Sequence, residues 1–297
     1  MPYPTVYIVT VAHNRRSSTK AFCDCLNRQT YRNFVLVLVD DGSTDGTEEM
    51  VQPYIFRKEI CIGNGTLWWA GGVRRGLARV KALNPDARDM ILIANDDTSF
   101  EDDFLEKAVG ELSNMGPGVM LCASIRFTDT DRWNDGGTVC YWPRLTFKHY
   151  GTHPDKIDCA STRCIFFCFS DLAVSGSFRP RLLPQYLSDY EFTIRARKRG
   201  LRLLPSRSVI CHATEQTTGT HRLLPGSLRG VMAQMLSPRF SANPRSLFMF
   251  VYTAAPPAWR PVCWAWAFRT VFAFFLKATI FDRLLGDGPG KEARQVS

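Results

Sequence analysis

Short, continuous apolar runs alternate with helical patterns over the first half of the chain. The runs at residues 6–11, 34–40 and 90–94 are rich in β-branched residues, as is typical of strands buried on both faces. Between the first two runs lies a helical pattern that ends near Gln29, with Ser17 as its expected N-cap. Strands that alternate with helices predict βαβ units, so we expect an α/β fold with a mostly parallel sheet.

The same alternation continues to about residue 124. It predicts strands at residues 59–62 and 119–124, with helices at 72–82 and 102–113. The next stretch, 125–180, is richer in turn-forming and aromatic residues, which favours hairpins and loops over another βαβ unit.

Regular patterns return in the last third of the chain. A helix is predicted at residues 189–199, followed by two short strands at 201–204 and 208–211. From about residue 225, helical segments are separated by prolines. We therefore expect a helical C-terminal extension after the α/β domain.

One segment of this extension has nearly the apolar length of a membrane span. Residues 262–281 contain 16 apolar positions in 20. Arg269 and Lys277 argue against a span, because a charge at mid-bilayer costs at least ~2.5 kcal/mol. On a helical wheel, both charges and Thr270 lie within one sector of about 100°. The pattern predicts an amphipathic helix lying on a membrane surface; the alternative is a helix packed on its own domain or on a partner subunit.

Composition narrows the class of protein. The chain has 297 residues, of which 45% are apolar and 22% charged, so it is globular and not disordered or fibrous. Its 10 cysteines match no zinc spacing, and we expect reduced thiols in the core. The first fifteen residues do not resemble a signal peptide, which predicts a cytosolic protein.

The net charge of +9 is concentrated in the C-terminal third. Residues 196–297 hold 15 of the 37 Lys and Arg residues but only 4 of the 28 Asp and Glu residues. Such a field attracts anionic partners, for example lipid head groups, pyrophosphates or nucleic acid. The neighbouring Trp and Phe residues favour a membrane surface, so no nucleic-acid partner is expected.

Acidic residues follow two predicted strands and begin one predicted helix. Asp41 follows the strand at 34–40, Asp96 and Asp97 follow the strand at 90–94, and Asp189 and Glu191 begin the helix at 189–199. Adjacent carboxylates without a neighbouring Lys or Arg suit a hard divalent cation. A carboxylate at a helix start can act as a general base. The alternatives are ordinary turns and helix caps.

The ordered set of motifs resembles the family 2 glycosyltransferases of GT-A fold, over about residues 3–215. The Trp68-Trp69-Ala-Gly-Gly72 element looks most like the rhamnosyltransferase-like branch. The motifs are Val9-Thr-Val-Ala-His-Asn-Arg15, Val39-Asp-Asp-Gly-Ser-Thr-Asp-Gly46, Gly63-Asn-Gly-Thr-Leu-Trp-Trp-Ala-Gly-Gly72, Asn95-Asp-Asp97, Gly176-Ser-Phe178, and Ser188-Asp-Tyr-Glu-Phe192 with Arg195 and Gly200.

The resemblance assigns most of these residues to donor binding. Asp41 would contact the base edge of a pyrimidine nucleoside, and Asp96 would reach the ribose or the metal through water. Trp68 and Trp69 would stack on a sugar or line the donor pocket, with core packing as the alternative. The remaining residues implied in substrate binding are Thr10, Asn14, Arg15, Gly72 and Glu191.

The resemblance assigns the chemistry to three side chains. Asp97 matches the carboxylate that binds Mg²⁺ or Mn²⁺, and His212 would be a further metal or phosphate contact unless it is an ordinary strand-end histidine. Asp189 matches the expected base. It would deprotonate an acceptor hydroxyl that attacks the anomeric carbon, so that one displacement inverts the configuration.

These implications define the expected organisation. Residues 1–222 would form the GT-A domain, with the nucleotide-sugar half at about 1–124 and the acceptor half at about 125–222. Residues 223–297 would form the basic, aromatic extension. The expected donor is dTDP-rhamnose or a UDP-sugar. The expected acceptor is a lipid-linked or other glycan of surface polysaccharide synthesis, at the inner face of the membrane.

Three questions stay open from the sequence. A nucleotidyltransferase would share the nucleotide and the metal, but it would need a Gly-rich basic loop after the first strand, where this chain has none. A non-enzymatic protein that binds anionic surfaces would show steeply salt-dependent binding. The sequence also leaves open whether the chain forms a homodimer.

Overall fold

The computed structural model describes residues 3–134, 136–149, 157–214 and 228–286, with the backbone alone at residues 149, 228 and 277–286. The chain divides into two compact units. The first comprises Met1–Tyr141 and Thr146–Thr217, and the second comprises Trp142–Leu145 and Thr218–Ser297. The predicted domain boundary at residue 222 lies outside the described residues and stays a prediction.

The first unit is built on a nine-stranded sheet with a separate two-stranded hairpin. The sheet order is β3-β2-β1-β4-β10-β6-β11-β5, with β7 beside β6, and β8 pairs with β9. The strands are β1 Val6–Ala12, β2 Phe34–Asp40, β3 Arg57–Ile62, β4 Met90–Ala94, β5 Ser99–Phe100, β6 Val119–Phe127, β7 Trp133–Asn134, β8 Thr138–Tyr141, β9 Thr146–His149, β10 Cys164–Cys168 and β11 Arg202–Ala213.

The sheet is mostly parallel, as predicted. Strands β3, β2, β1 and β4 are parallel neighbours, and β6 is parallel to β11. Strand β10 runs antiparallel to both β4 and β6, and the short strands β5 and β7 are also antiparallel to their neighbours. The carboxyl ends of β1, β2 and β4 therefore meet at one edge of the sheet.

Helices cover both faces of this sheet, because its central strands are apolar on both sides. One buried cluster includes Phe22 and Phe104, and the other includes Val73, Leu77 and Phe192. The helices of the first unit are α1 Arg16–Arg28, α2 Thr47–Val51, α3 Trp68–Ala82, α4 Phe104–Met115, α5 Asp171–Ser175 and α6 Ser188–Lys198.

Several predicted boundaries of helices and strands differ from the observed ones. Helix α1 begins at Arg16 and its N-cap is Arg15, so Ser17 lies inside the helix. Helix α3 begins at Trp68, four residues before the predicted start, and its Gly72 and Gly76 pack against the sheet. The two short strands predicted at 201–204 and 208–211 are one strand, β11, with a bulge between Pro205 and Ile210.

The turn-rich segment at 125–180 contains the expected hairpins and one strand that the sequence did not predict. Strand β10 is fully buried between β4 and β6. Its five apolar residues, Cys164–Cys168, are too few to distinguish a buried strand from other apolar segments. All ten cysteines are free and nine are buried, which confirms their prediction as core thiols.

The second unit consists of helices α7 Leu228–Leu236, α8 Pro244–Ala254 and α9 Arg260–Gly286. Val251, Ala255 and Cys263 form a small buried cluster with Trp142 and Leu145 packed against it. Helix α9 contains the stretch predicted to be amphipathic, but its exposed side carries aromatic residues as well as Arg269, so amphipathicity is not shown. None of the described helices combines the length and apolarity of a membrane span.

Candidate active site

The predicted acidic residues follow parallel strands whose ends are aligned. Ala12 at the end of β1 is in register with Asp40 at the end of β2, and Val9 of β1 is in register with Ile93 of β4. Asp41 follows β2 directly, while Asp96 and Asp97 follow β4 after one intervening residue. Ligands of such sheets bind beyond this edge.

Asp41 has both carboxylate oxygens occupied by backbone N–H groups. Oδ1 accepts from Gly65 N at 2.9 Å, and Oδ2 accepts from Leu67 N at 2.8 Å and Trp68 N at 3.2 Å. The carboxylate therefore fixes the loop that begins helix α3. This architectural role competes with the predicted contact to the base edge of a nucleotide.

The start of α3 is also tied to the loop before α6. Trp69 N donates to Gln185 Oε1 at 2.9 Å, and Ala70 N donates to Pro184 O at 3.0 Å. Trp68 has a positive φ of 57°, an uncommon conformation for a bulky residue that its hydrogen bond to Asp41 helps to hold. The N-terminus of α3 is thus hydrogen-bonded both to Asp41 and to the loop that precedes α6, the helix that carries Asp189.

Both tryptophans at this terminus are partly exposed, whereas Gly72 is buried. A Cβ at Gly72 would lie 2.5 Å from Val11 Cγ1. Gly72 therefore allows close packing of α3 on β1, and its predicted role in substrate binding stays a prediction.

Asp96 and Asp97 are held by arginine, contrary to the expectation of unpaired carboxylates. Arg15 bridges them, with Nε 3.2 Å from Asp96 Oδ1 and Nη2 3.0 Å from Asp97 Oδ2. Asp96 Oδ2 also accepts from Thr19 Oγ1 at 3.1 Å. Burial raises the pKa of Asp96 to about 7, with the charge of Arg15 opposing this shift and that of Asp97 adding to it.

Arg163 pairs with Asp97. Its Nη1 lies 3.2 Å from Asp97 Oδ1. Arg163 directly precedes β10, and its carbonyl accepts from Asn95 N at 2.9 Å. The antiparallel strand therefore places this arginine beside the Asn95-Asp96-Asp97 motif. Arg163 was not predicted as a site residue, and the one signal for it in the sequence is its position directly before an apolar run.

Asp189 lies in the first turn of α6 and is only partly exposed. Burial raises its pKa to about 6, although the backbone N–H of Tyr190, 2.9 Å from Oδ1, and the charge of Arg163 oppose the shift. A carboxylate with this pKa is ionised near neutral pH and is a better proton acceptor than an ordinary aspartate.

Glu191 is an ion-pair partner within the fold. It is 2% exposed, pairs with Arg195 at 2.9 Å and lies 3.3 Å from Arg179. Arg195 in turn donates to the carbonyls of Ser175 and Ser177. The structure thus explains Glu191 as the anchor of α6 on the preceding loop, and it gives no support to the predicted substrate contact.

Asn14 and Thr10 have different environments. Asn14 is exposed, and its Oδ1 accepts from Thr44 N at 2.8 Å, which joins the loop after β1 to the loop after Asp41. Thr10 is 0% exposed, and its hydroxyl has no hydrogen-bond partner. Its side chain is buried in strand β1, and the predicted nucleoside contact of Thr10 stays a prediction.

His212 lines a pocket whose lining does not include Asp97. Its Nε2 is 3.8 Å from Glu101 Oε1. The other residues that line this pocket are Asp103, Phe104, Lys107, Arg126, Trp133, Ser208 and Ile210. The structure offers no support for His212 as a second ligand beside Asp97.

The donor chemistry of the acidic motif fits a hard divalent cation that shares its coordination with a substrate. Within the described ranges, no group of three or more His, Cys, Asp and Glu residues could hold a metal. Mg²⁺ and Mn²⁺ need only one or two protein carboxylates when phosphates supply further oxygen ligands. Asp97, with Asp96 beside it, could provide this partial site.

Comparison with known proteins agrees with the fold. The model of the family described as "Glycosyl transferase family 2" matches residues 7–174. No curated protein sequence matches the chain. Among solved structures, the mannosyltransferase PcManGT from Pyrobaculum calidifontis, in complex with GDP-Man and Mn²⁺, has 17% identity and a TM-score of 0.56, with 97% of this chain and 78% of that chain covered.

A second similar structure is TarS 1–349 of S. aureus in complex with UDP-GlcNAc. It has 13% identity and a TM-score of 0.59, with 94% of this chain and 92% of that chain covered. Both likenesses support the GT-A fold, while the rhamnosyltransferase-like branch stays a prediction. Because the family model covers more than half of the sequence, this chain belongs to glycosyl transferase family 2 and is a glycosyltransferase.

Proposed function

We propose that this protein transfers a sugar from a nucleoside diphosphate sugar to a hydroxyl of a lipid-linked or other glycan acceptor, with inversion and with Mg²⁺ or Mn²⁺. The observation that carries the proposal is the arrangement around Arg163. Its guanidinium pairs with Asp97 at 3.2 Å. The segment that leads to Arg163 also contacts α6, because Ala160 N donates to Thr193 Oγ1 at 3.1 Å and Thr193 Oγ1 donates to the carbonyl of Asp189 at 3.0 Å. These contacts support a shared neighbourhood for the candidate metal ligand and the candidate base.

Asp189 is the proposed general base. Its raised pKa of about 6 leaves it ionised at neutral pH but still able to accept the proton of an attacking hydroxyl. The hydroxyl oxygen would form a bond to the anomeric carbon while the bond to the diphosphate breaks on the opposite face. A single displacement of this kind inverts the configuration, and no covalent intermediate on the enzyme is needed.

Asp97, Asp96, Arg15 and Arg163 form the proposed diphosphate end of the site. A bound divalent ion at Asp97 would supply Lewis-acid stabilisation for the negative charge of the leaving diphosphate. Arg15 and Arg163 add two guanidiniums, whose planar N–H groups suit phosphate oxygens. Asp96 would reach the ribose, or the metal through water.

The exposed or partly exposed residues at the strand ends are proposed to hold the rest of the donor. Asn14 lies between the loops after β1 and β2, and Trp68 and Trp69 at the start of α3 would line the sugar pocket. Residues 1–124 would thus bind the donor and 125–222 the acceptor. A dTDP-linked or UDP-linked sugar is the proposed donor, and dTDP-rhamnose is the specific candidate.

A panel of nucleotide sugars tests this function. We expect release of the nucleoside diphosphate from at least one of dTDP-rhamnose, UDP-GlcNAc and GDP-Man in the presence of acceptor, and loss of release when EDTA removes the metal. Asp97→Ala should lower turnover about 10²-fold or more. The matched control is Asp131→Ala, which removes an aspartate that is 76% exposed and paired with Arg126.

Equal activity of Asp97→Ala and the control would exclude the proposed metal site. Activity of both Asp97→Ala and Asp189→Ala at the level of the intact enzyme would exclude the whole assignment of the active site.

Peripheral binding to the inner face of the membrane is part of the proposal. Helix α9 exposes the apolar side chains of Trp264, Phe268, Phe272 and Leu276, which recur every four residues. Residues 218–297 contain 10 Lys and Arg against 3 Asp and Glu. An apolar stripe in a basic segment fits an anionic lipid surface, where a lipid-linked acceptor would also lie.

Sedimentation with lipid vesicles tests this surface. We expect the protein to sediment with vesicles that contain phosphatidylglycerol and much less with phosphatidylcholine alone. Phe268→Ala combined with Phe272→Ala should weaken binding about tenfold, because two exposed aromatic side chains are removed. Ile55→Ala is the control, since Ile55 is 93% exposed on the first unit. Equal weakening by Ile55→Ala would count against α9 as the docking surface.

A further inference from the structure

Two arginines occupy the carboxylate that would hold the metal. Arg163 lies 3.2 Å from Asp97 Oδ1, and Arg15 lies 3.0 Å from Asp97 Oδ2. The side chains of Arg163 and Arg15 are only 13% and 25% exposed, so water screens their charges poorly. A divalent cation on either oxygen would stand beside at least one guanidinium, which disfavours metal binding while both arginines remain in place.

The two arginines are anchored differently. Arg15 contacts both carboxylates of the motif, and Asp96 is further held by Thr19. Arg163 is fixed through its backbone, because its carbonyl accepts from Asn95 N at 2.9 Å, while its guanidinium reaches Asp97 through one nitrogen. The side chain of Arg163 can therefore leave Asp97 without disturbing the strand from which it projects.

A diphosphate offers Arg163 an alternative anionic partner at the same place. Guanidinium groups bind phosphate and carboxylate oxygens with similar geometry. The phosphates would also supply the oxygen ligands that Asp97 alone lacks. Arrival of a nucleotide would thus provide a new partner for Arg163 and complete the coordination of the metal at once.

We propose that Arg163 is a positioning residue that keeps Asp97 occupied in the free enzyme and moves to the donor diphosphate, so that the metal binds only together with nucleotide. This inference rests on the proposed function. It predicts a binding order: free metal binds weakly to the free enzyme, and nucleotide and metal strengthen each other's binding, as thermodynamic linkage requires.

The test measures Mn²⁺ binding to the full chain by electron paramagnetic resonance of free Mn²⁺, first with Mn²⁺ alone and then with UDP, GDP or dTDP. For the unmodified protein, at least one nucleotide should strengthen Mn²⁺ binding about tenfold or more. Arg163→Gln should bind Mn²⁺ alone about tenfold more tightly than the unmodified protein and should show a smaller effect of nucleotide.

Two further variants sharpen the result. Arg163→Lys keeps the positive charge and should retain weak binding of Mn²⁺ alone. Arg79→Gln is the matched control, because it removes a guanidinium from an exposed ion pair with Glu59, and it should leave Mn²⁺ binding unchanged. If Arg163→Gln fails to fold, as judged by circular dichroism, Arg163→Met preserves the apolar stem and carries the same prediction.

The negative results distinguish a failure of this inference from a failure of the proposed function. If nucleotide strengthens Mn²⁺ binding but neither Arg163→Gln nor Arg163→Met changes the binding of Mn²⁺ alone, the role of Arg163 is overturned and the proposed glycosyl transfer stands. If nucleotides bind with no effect of Mn²⁺ and turnover persists in EDTA, Arg163 and Arg15 replace the metal, which overturns the binding order. If no nucleotide binds at all, the proposed function itself fails.

Discussion

Two regions at the same edge of the sheet use acidic residues in different ways. At the end of β2, Asp41 accepts three backbone N–H groups and fixes the start of α3. At the end of β4, Asp97 pairs with the guanidinium of Arg163, and the charge of Arg163 also opposes the burial that raises the pKa of Asp189 at the start of α6. A carboxylate whose oxygens are filled by backbone groups maintains architecture, whereas one paired with arginine side chains can exchange those partners for a ligand.

The largest expected effect concerns the second of these two regions, at the end of β4 and the start of α6. Asp189→Asn removes the proposed base and should lower kcat about 10² to 10⁴-fold, measured as nucleotide release at saturating donor. In the unmodified enzyme, kcat should rise about tenfold per pH unit below the pKa of about 6 and then level off, because only the ionised carboxylate accepts a proton. A kcat independent of pH between 4 and 8 would contradict this role.

The same substitution should increase the stability of the fold. Burial raises the pKa of Asp189 from 3.8 to about 6, so the folded chain binds more protons than the unfolded chain between these values. The free energy of unfolding of the unmodified protein therefore falls as the pH rises through this window, by up to about 3 kcal/mol. The asparagine of Asp189→Asn does not titrate, so the free energy of unfolding of the variant does not fall for this reason. Urea unfolding at pH 8 and pH 4 should show the advantage of the variant only at pH 8.

Asp41→Ala tests the architectural side. Loss of the carboxylate leaves the N–H groups of Gly65, Leu67 and Trp68 without their acceptor and should lower the free energy of unfolding by about 3 kcal/mol, measured by urea denaturation. Asp131→Ala, at an exposed ion pair, should change it by less than about 1 kcal/mol. Unchanged stability with lost nucleotide affinity would instead favour the base-edge contact predicted from the sequence.

The smallest expected effect concerns Thr10, the buried hydroxyl below the same edge. Thr10→Val replaces an unpartnered hydroxyl with a methyl group of similar size and should raise the free energy of unfolding by about 1 kcal/mol. Urea denaturation measures this change, and calorimetric titration with UDP measures nucleotide affinity. A clear loss of affinity in Thr10→Val would mean that the nucleotide reaches Thr10 after all.

Local patterns were sufficient where burial alone determines the element. The prediction of β2 and β4 matched their observed bounds, because each is a continuous apolar run covered on both faces. The start of α3 was missed because Trp-Trp-Ala-Gly-Gly has poor helix propensity, and the need for Gly72 becomes clear only from its contact with Val11 of β1. Such packing depends on residues far apart in sequence.

The candidate site shows the same division. Strand-end position was enough to identify Asp41 and Asp97 as polar residues of one edge, and the helix start was enough to single out Asp189. The identity of their partners was not predictable, because Arg15 lies 82 residues from Asp97 in sequence and Arg163 lies 66 residues away. The difference between an architectural and a reactive carboxylate depends on these partners and therefore becomes visible only in the folded chain.

The tip of the β8–β9 hairpin has a practical consequence for anyone who wishes to isolate the first unit. Residues Trp142–Leu145, between the two strands, belong to the second unit: Trp142 stacks on Phe250, and its carbonyl accepts from Cys263 Sγ at 3.1 Å. Cutting the chain after residue 217 would remove the helices that cover this tip. Its apolar side chains would then be exposed to solvent and would favour aggregation. In a soluble truncated protein, these four residues should therefore also be replaced by a short polar turn.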